Sequence, residues 1–341
     1  MENKIKDAEL WYEKNRALYD RFSKELEEII TKILETKGIP FQSVTYRVKE
    51  KTSYLKKCSS EKYTEPIEQV MDVSGIRIIA YTNQDVVEIC KVLQEEFLID
   101  EDNSINKADA LETDKVGYLS VHYILQLNEK RLALAEYDGF KGLKSEVQIR
   151  TLLQHAWAEI EHDRNYKFAG VLPNEIKRRF YLIAGVLEMM DREFDNLSRD
   201  IDEYAVNMKE SLEKGIYDLN IDSKSLEQYV LKRFEDEKGL MPCFTGEIVS
   251  ESVVEELIRF GYKTIQDIEN DLNKVGVVFE DGDTYIGMLR NLMIIVDCDK
   301  YFISAFNYDW MSASEEDVEF WKEKGVLNIE EYLCEYGINV D

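Results

Sequence analysis

Five short stretches carry residues whose types and spacing suit chemistry on charged substrates. In the run Arg47–Lys57, Arg47 and Lys49 are two apart in a strand-like segment and share a face. Ser53 and Lys57 are four apart, one above the other if a helix starts there. A strand entering a helix N-terminus lined by two lysines and a hydroxyl makes a cradle for a polyphosphate. The same residues fit a solvated basic surface with a helix cap. Asp72 stands at the entrance of an apolar strand that contains Arg77. A buried charge is costly unless paired, so either the two pair with each other or neighbours, or Asp72 holds a metal and Arg77 an anion. In Gly117–His122, alternation places Tyr118, Ser120 and His122 on one face. The glycine before an aromatic lets a flat group approach, and nucleobases stack on such rings. In Ser145–Thr151, Glu146, Gln148 and Arg150 share one face and Val147 and Ile149 the other. A glutamate there suits Mg²⁺ binding or proton acceptance. The stretch Leu152–Lys167 puts His155, Glu159 and Asp163 at steps of four. The H-x-x-x-E-x-x-H spacing of His155, Glu159 and His162 raises zinc, but no further Cys or His completes a ligand set.

These residues need elements to hold them. Apolar positions at helical spacing over 3–36 predict a helix, stopped by Gly38 and Pro40. Short β-branched or aromatic runs at Val44–Val48, Ile76–Tyr81, Val121–Leu127 and Glu146–Ile149 read as strands, with a helix at Gln84–Phe97 between them. The helical period returns at Leu152, and Pro173-Asn174 opens a long helix reaching about Lys214. Strands with intervening helices, flanked by long helices, indicate an α/β (α+β) core. The expected organisation is an N-terminal helix (1–39), a core (40–170), a long helix on or extending from it (171–214), and an acidic, mainly helical domain (215–341). In the last, helices are expected at Glu251–Phe260, Thr264–Asn273, Asp283–Phe306 and Ser314–Lys324. Gly261-x-x-x-Ile265 and Gly325-x-x-x-Ile329 look alike there, but two loose copies do not make a repeat.

Composition narrows the function. The chain has 341 residues, 43 basic and 69 acidic, for a net charge of −26. That argues against a general nucleic-acid binder but leaves room for a local basic cleft. Residues 215–341 hold 11 basic and 28 acidic side chains, which places a boundary near 215–222. An acidic module of this kind suits either a scaffold or a cover for a basic substrate surface. Apolar runs such as Leu292–Val296 are far shorter than a membrane span, and the N-terminus lacks an apolar signal core. Five dispersed cysteines without C-x-x-C fit reduced thiols in a cytoplasmic protein.

Taken in order, R-x-K-x-x-x-S-x-x-x-K, D-x-x-G-I-R, G-Y-x-S-x-H, E-x-Q-I-R-T and H-A-W-A-E-I-E-H-D-x-x-Y-K resemble the synthetase domain of the RelA/SpoT family over about residues 40–168. The resemblance implies a nucleotidyltransferase-like mixed sheet that moves the pyrophosphate of ATP onto the 3′-hydroxyl of GDP or GTP, making the alarmone (p)ppGpp with Mg²⁺. It implies that Arg47, Lys49, Ser53, Lys57 and Arg77 bind ATP. Asp72 and Glu146 hold the metal, and Glu146, Asp72 and Arg77 form the catalytic set. Lys115, Tyr118, Ser120, His122, Gln148 and Arg150 serve the acceptor, with Tyr118 stacking on its base. Val116, Leu119 and the position of Lys115 depart from the family pattern on the acceptor side. Only about 40 residues precede the core and none is histidine, so no hydrolase domain of the long members is expected. Two other readings stand beside this one. A toxic relative would pyrophosphorylate tRNA 3′ ends or adenosine nucleotides, using a basic surface to which Arg131, Lys141, Lys144, Lys177, Arg178 and Arg179 contribute. A non-catalytic nucleotide sensor would keep the fold and lose the metal ligands. A homo-oligomer is compatible with all three.

Overall fold

The computed structural model describes residues 2–106, 120–167, 173–243 and 245–340. Contacts divide the chain into two units, Met1–Ser198 and Arg199–Asp341.

The first unit is built on a mixed sheet. Its strands are β1 (Ser43–Val48), β2 (Ser74–Ala80), β3 (Phe97–Ile99), β4 (Ile105–Asn106), β5 (Val121–Leu127) and β6 (Ser145–Thr151). They run in the order β1-β2-β6-β5-β3, with β4 on β5. Only β2 and β6 pair parallel; the other pairs are antiparallel. Helices α1 (Glu2–Lys37), α2 (Lys51–Cys58), α3 (Asn83–Glu96), α4 (Leu152–Lys167) and α5 (Asn174–Glu213) accompany them. The mixed α+β fold expected from the sequence is therefore the one observed. Phe22, Leu26, Ile30 and Leu34 of α1 and Ile89 and Leu93 of α3 pack with the sheet's Ile76, Ile78, Leu125, Val147 and Ile149.

Strand faces follow the side-chain period of two. In β6 burial alternates strictly, so Val147 and Ile149 enter the core while Glu146, Gln148 and Arg150 face outward. In β2 Arg77 is the one position that is not buried. A hydroxyl chain crosses the buried side: Ser23 Oγ and Ser74 Oγ are 2.7 Å apart, and Ser74 Oγ and Ser145 Oγ 2.8 Å. It ties α1 to the two parallel strands that carry Arg77 and Glu146. A second small cluster stacks Trp11 and Tyr12 of α1 on Tyr54 of α2. The Tyr12 hydroxyl donates to the Lys49 carbonyl at 2.7 Å, so α1 also fixes the corner between β1 and α2.

The second unit is mainly helical, with α6 (Ser223–Arg233), α7 (Glu251–Phe260), α8 (Ile265–Val275), α9 (Tyr285–Val296), α10 (Glu315–Glu323) and α11 (Ile329–Glu335). A small parallel pair joins β7 (Ser312–Ala313) and β8 (Asn339–Val340). Its apolar core draws on residues from Leu212 to Ile338. That core already takes up the end of α5, whereas the charge shift used on the sequence begins a few residues later. Inside it Glu256, fully buried, accepts two 2.9 Å bonds from Arg290 and one from the Tyr301 hydroxyl. The single helix expected over Asp283–Phe306 is broken. Asp297 leaves helical geometry and caps a new turn through Lys300 N, and Tyr301–Ala305 continues as a π-helical turn. Helices α6 and α11 and the β7–β8 pair were not read from the sequence. Gly261 and Gly325, with φ of +101° and +94°, each end one helix and turn the chain into the next, so the two similar pieces are the same helix–glycine–helix corner. Among the described residues no helix is long and apolar enough to cross a membrane.

Candidate active site

The outward face of β1, β2, β6 and β5 collects the polar residues singled out by spacing. The sheet register sets them side by side: Arg47 lies across from Gly75, Gly75 beside Glu146, Arg77 beside Gln148, and Gln148 across from His122. Arg47 lies over Gly75: a Cβ there would meet Arg47 Cγ and Nε at 3.4 Å, ordinary contact distance, so it is a side chain larger than a methyl that would displace the arginine. A cavity of about 170 Å³ follows, lined by Arg47, Gly75, Arg77, Glu146 and Gln148 among others. Gly75 stands within D-x-x-G-I-R, where the motif by itself assigns it no task. Its place two residues before Arg77, hence on the same face, was the available signal.

Asp72 stands just before β2. Its Oδ2 accepts from Lys49 Nζ at 2.8 Å and from Lys57 Nζ at 2.7 Å. The alternative in which Asp72 and Arg77 pair with each other is thereby corrected, because Arg77 Nη1 instead meets Glu159 Oε1 at 3.1 Å. Burial disfavours the Asp72 anion, but the two lysines outweigh it and hold its pKa below the usual carboxylate value. For Lys57 burial likewise opposes the charge, and the bond to Asp72 wins and raises it. Asp72 Oδ1 is buried and has no hydrogen-bond partner among the described residues. An ionised oxygen in that position fits a cation supplied from outside the chain. Ser53 sits one turn before Lys57 on α2 and is exposed. The strand corner and the helix start expected from the spacing are both observed, with Lys49 just past the end of β1 rather than within it.

Glu146 is the centre of a polar chain. Arg150 Nη2 donates to Gln148 Oε1 at 2.9 Å, and Gln148 Nε2 donates to Glu146 Oε2 at 2.9 Å. On the other side His122 Nδ1 is 3.3 Å from Glu146 Oε1, and His122 Nε2 is 2.7 Å from Ser120 Oγ. Burial raises the Glu146 pKa, but hydrogen bonds from His122 and Gln148 and the charges of His122 and Lys57 bring it down to about 2. With Glu146 ionised, His122 Nδ1 donates to it, and the other ring nitrogen pairs with the Ser120 hydroxyl. Arg150 is buried against the charge of Arg77, which lowers its pKa, and its Nε finds no partner among the described residues. His155 is held towards neutrality by burial first and by Arg77 second. So the α4 stretch that raised zinc instead supplies Glu159 to Arg77, with His155 Nδ1 3.9 Å from the same carboxylate oxygen. Among the described residues no cluster of three His, Cys, Asp or Glu gathers as a metal cage. Two carboxylates completed by substrate phosphates are the arrangement magnesium favours.

Lys115 and Tyr118 lie outside the described residues. Of the basic side chains considered for a tRNA surface, Arg131 pairs with Glu96 at 2.7 Å and Lys144 with Asp100 at 2.7 Å. Lys177, Arg178 and Arg179 sit apart from them in sequence at the start of α5. The site's own cations are Arg47, Lys49, Lys57, Arg77 and Arg150, facing Asp72, Glu146 and Glu159. This is a local basic cleft in an acidic chain, suited to a polyanionic ligand.

Residues 46–170 match the family model described as a region found in RelA / SpoT proteins. The GTP pyrophosphokinase YjbM of Bacillus subtilis (strain 168) is 29% identical over 168 residues, covering 48% of this chain and 75% of that one. The GTP pyrophosphokinase YwaC of the same organism is 28% identical over 137 residues, covering 40% of this chain and 61% of its own. The crystal structure of the small alarmone synthetase 1 from Bacillus subtilis overlaps 56% of this chain and 98% of its own, at 26% identity and a TM-score of 0.48. The segment that carries the site, residues 46–170, is therefore a RelA/SpoT region, as the order of its motifs had implied.

Proposed function

We propose that this chain transfers the β,γ-pyrophosphate of ATP to the 3′-hydroxyl of GDP or GTP, making ppGpp or pppGpp. The observation that carries the reading is Glu146: ionised, hydrogen-bonded on both oxygens, and flanked by the cavity of Arg47 and Arg77 on one side and by His122 on the other. The relatives named as GTP pyrophosphokinases support the same chemistry.

In this reading Arg47 and Arg77 receive ATP in the cavity over Gly75, and Lys49, Ser53 and Lys57 meet its phosphates. Glu159 keeps Arg77 aimed into the cleft until a phosphate competes for it. The 3′-hydroxyl donates its hydrogen bond to Glu146, which aligns the oxygen against the β-phosphorus. The new bond forms from that oxygen to the β-phosphorus while the bond to the oxygen bridging the α-phosphate breaks, and AMP leaves. The hydroxyl proton goes to Glu146. A carboxylate with a pKa near 2 is a weak base, but two polyanions beside it disfavour its charge and raise its basicity in the loaded site. His122, Gln148 and Arg150 hold Glu146 and the acceptor's phosphates, and Tyr118 stacks on the acceptor base. Asp72 through its free Oδ1, together with Glu146, would hold Mg²⁺. That ion supplies charge neutralisation and orientation of the phosphates.

The test is incubation with γ-labelled ATP and Mg²⁺ and, separately, GDP, GTP, AMP, ATP and tRNA. Label in a guanosine tetra- or pentaphosphate is the expected result. Label only in tRNA or an adenosine product moves the acceptor, and no transfer to any of them leaves a nucleotide sensor.

A further inference from the structure

We infer that a cleft in the second unit binds a small aliphatic polyamine, its chain on two tryptophan rings and its ammonium groups on the carboxylates beside them. A cavity of about 160 Å³ lies between α9, α10, β7 and the segment before α9. Trp310, Trp321, Ile294 and Ala313 give it apolar walls, and Asp283 and Asp317 belong to its polar lining. It shares no residue with the cavity of Arg47, Arg77 and Glu146, so the inference does not depend on the transfer reaction.

The two rings offer surface but no donor. The Trp310 indole N–H donates to the Tyr301 hydroxyl at 2.9 Å, and that of Trp321 to Asn291 Oδ1 at 2.8 Å. Their centroids are 6.3 Å apart. What they present to the cleft is apolar area with an electron-rich face, which suits methylene groups and the cation they carry.

The carboxylates supply the charge. Asp317 Oδ2 accepts from Ser314 N at 2.7 Å and Ser314 Oγ at 2.8 Å. Asp283 Oδ2 accepts from Glu280 N at 2.9 Å and from Asn291 Nδ2 at 3.4 Å. Among the described residues all of these bonds go to Oδ2, which leaves Oδ1 of both carboxylates open to a ligand. Asn291 is 5% exposed and oriented by Trp321, so Asp283 stands on a fixed support. Arg290 also lines the cleft, but Glu256 takes its Nε and Nη2, and Asp309 meets Nη2 at 3.1 Å, two acids for one base. Burial and the charge of Asp317 raise the pKa of Asp283. Burial also raises that of Glu280, and the charges acting on it are Asp283, Glu316, Asp317 and Glu323, all acidic. Carboxylates gathered in this way repel one another, and a cation among them relieves the repulsion.

The same field selects the ligand. It disfavours anything phosphorylated. Among the described residues no three His, Cys, Asp or Glu gather to hold a metal ion, and indole rings offer a metal no oxygen. A polyamine matches each part of the cleft. One ammonium donates to Asp283 and Asp317, the methylenes lie on Trp310 and Trp321, and a further ammonium reaches the exposed Glu280, Glu316 and Glu323.

The test is calorimetric titration of the full chain with spermidine at physiological ionic strength. Saturable binding is expected, with a dissociation constant below about 1 mM. Propylamine, with one ammonium, should bind at least about tenfold more weakly. Asp283→Asn and Asp317→Asn keep an oxygen for the backbone N–H each now accepts, and each should weaken spermidine about tenfold or more. Ser312→Phe should fill the cleft and prevent binding; the position lines the cavity, is exposed, and pairs in β7 through its backbone. It decides the matter if an Asn variant loses the circular dichroism of the parent. MgCl₂ at the same concentration of charge should leave spermidine bound. Absence of saturable binding overturns the inference, as does binding that Ser312→Phe leaves unchanged or that MgCl₂ removes, which is the behaviour of an ion atmosphere on an acidic surface. Propylamine binding as tightly as spermidine overturns the polyamine as its ligand.

Discussion

Two carboxylates, both ionised against the pull of burial, define what the site can do at the scale of single residues. Glu146→Gln keeps shape and the hydrogen bond from Gln148 but can neither take a proton nor bind a cation as an anion. Transfer should fall about 100-fold or more with the fold intact; near-normal turnover of pure protein would remove Glu146 from the reaction. Its titration gives a second test. The folded pKa of about 2 lies below the ordinary 4.5. The stability this contributes is complete above about pH 5 and is lost as the pH falls through 4.5 towards 2. Wild type should therefore lose its advantage in Tm over Glu146→Gln across that window, and a gap independent of pH would contradict the ionised assignment. Asp72→Asn addresses the cation. Asn keeps an oxygen for one lysine, but its uncharged amide replaces the orphan carboxylate, so the Mg²⁺ concentration for half-maximal transfer should rise at least tenfold. An unchanged Mg²⁺ dependence, read at saturating nucleotide, would free Asp72 from that role. Most of these residues were legible in the sequence because polar side chains two apart in a strand must share a face. What spacing left open was their pairing: Arg77 to Glu159 and Asp72 to Lys49 and Lys57 join residues 15 to 82 positions apart, which only the folded sheet brings together.

At the scale of elements, β2 and β6 do the positioning. They lie parallel in the middle of the sheet, so Gly75 and Arg77 stand in register with Glu146 and Gln148. Strands of this kind were readable from β-branched runs and alternation, and long helices from their apolar period, because those patterns are set locally. The break at Asp297 was not readable that way. Its cause is a capping side chain inside an apolar run, and periodicity does not register a single cap. The short strands β3 and β4 escaped for a related reason: three and two residues are too few for an alternation to show. The role of Gly75 is itself testable as a property of β2. Gly75→Val suits a strand by propensity, and its side chain would fill the space under Arg47 in a cavity of only about 170 Å³. The expected outcome is a folded protein whose KM for ATP rises roughly tenfold or more while that for the guanosine acceptor changes less, a difference of binding energy on one substrate only. Equal damage to both would show that the cavity is not the ATP side.

The whole molecule has two units, each with its own apolar core: one around the sheet and α1, the other between Leu212 and Ile338. The second contains the buried Arg290–Glu256–Tyr301 group and its own capped helices, and the residues of its apolar core run from Leu212 to Ile338. At 143 residues it has the size of an ordinary domain. A fragment of residues 199–341 should therefore unfold cooperatively in denaturant. Gly261 provides a selective lever on it. At φ +101° it occupies a backbone region that an L side chain strains to adopt, and a Cβ would lie 3.2 Å from Lys300 Nζ. Gly261→Ala should destabilise the fragment by about 1–2 kcal/mol, the cost of a non-glycine at a left-handed helix end. In the full chain the same substitution should lower one unfolding transition and leave pyrophosphate transfer per folded molecule unchanged, because the cleft belongs to the first unit. The measurement is calorimetry of the full chain and the fragment, with transfer assayed below the first transition. A fragment that is unfolded by circular dichroism, or a single transition shifted as a whole by Gly261→Ala, would show that the second core depends on the first, and 199–341 would then be an extension of the synthetase unit rather than a domain attached to it.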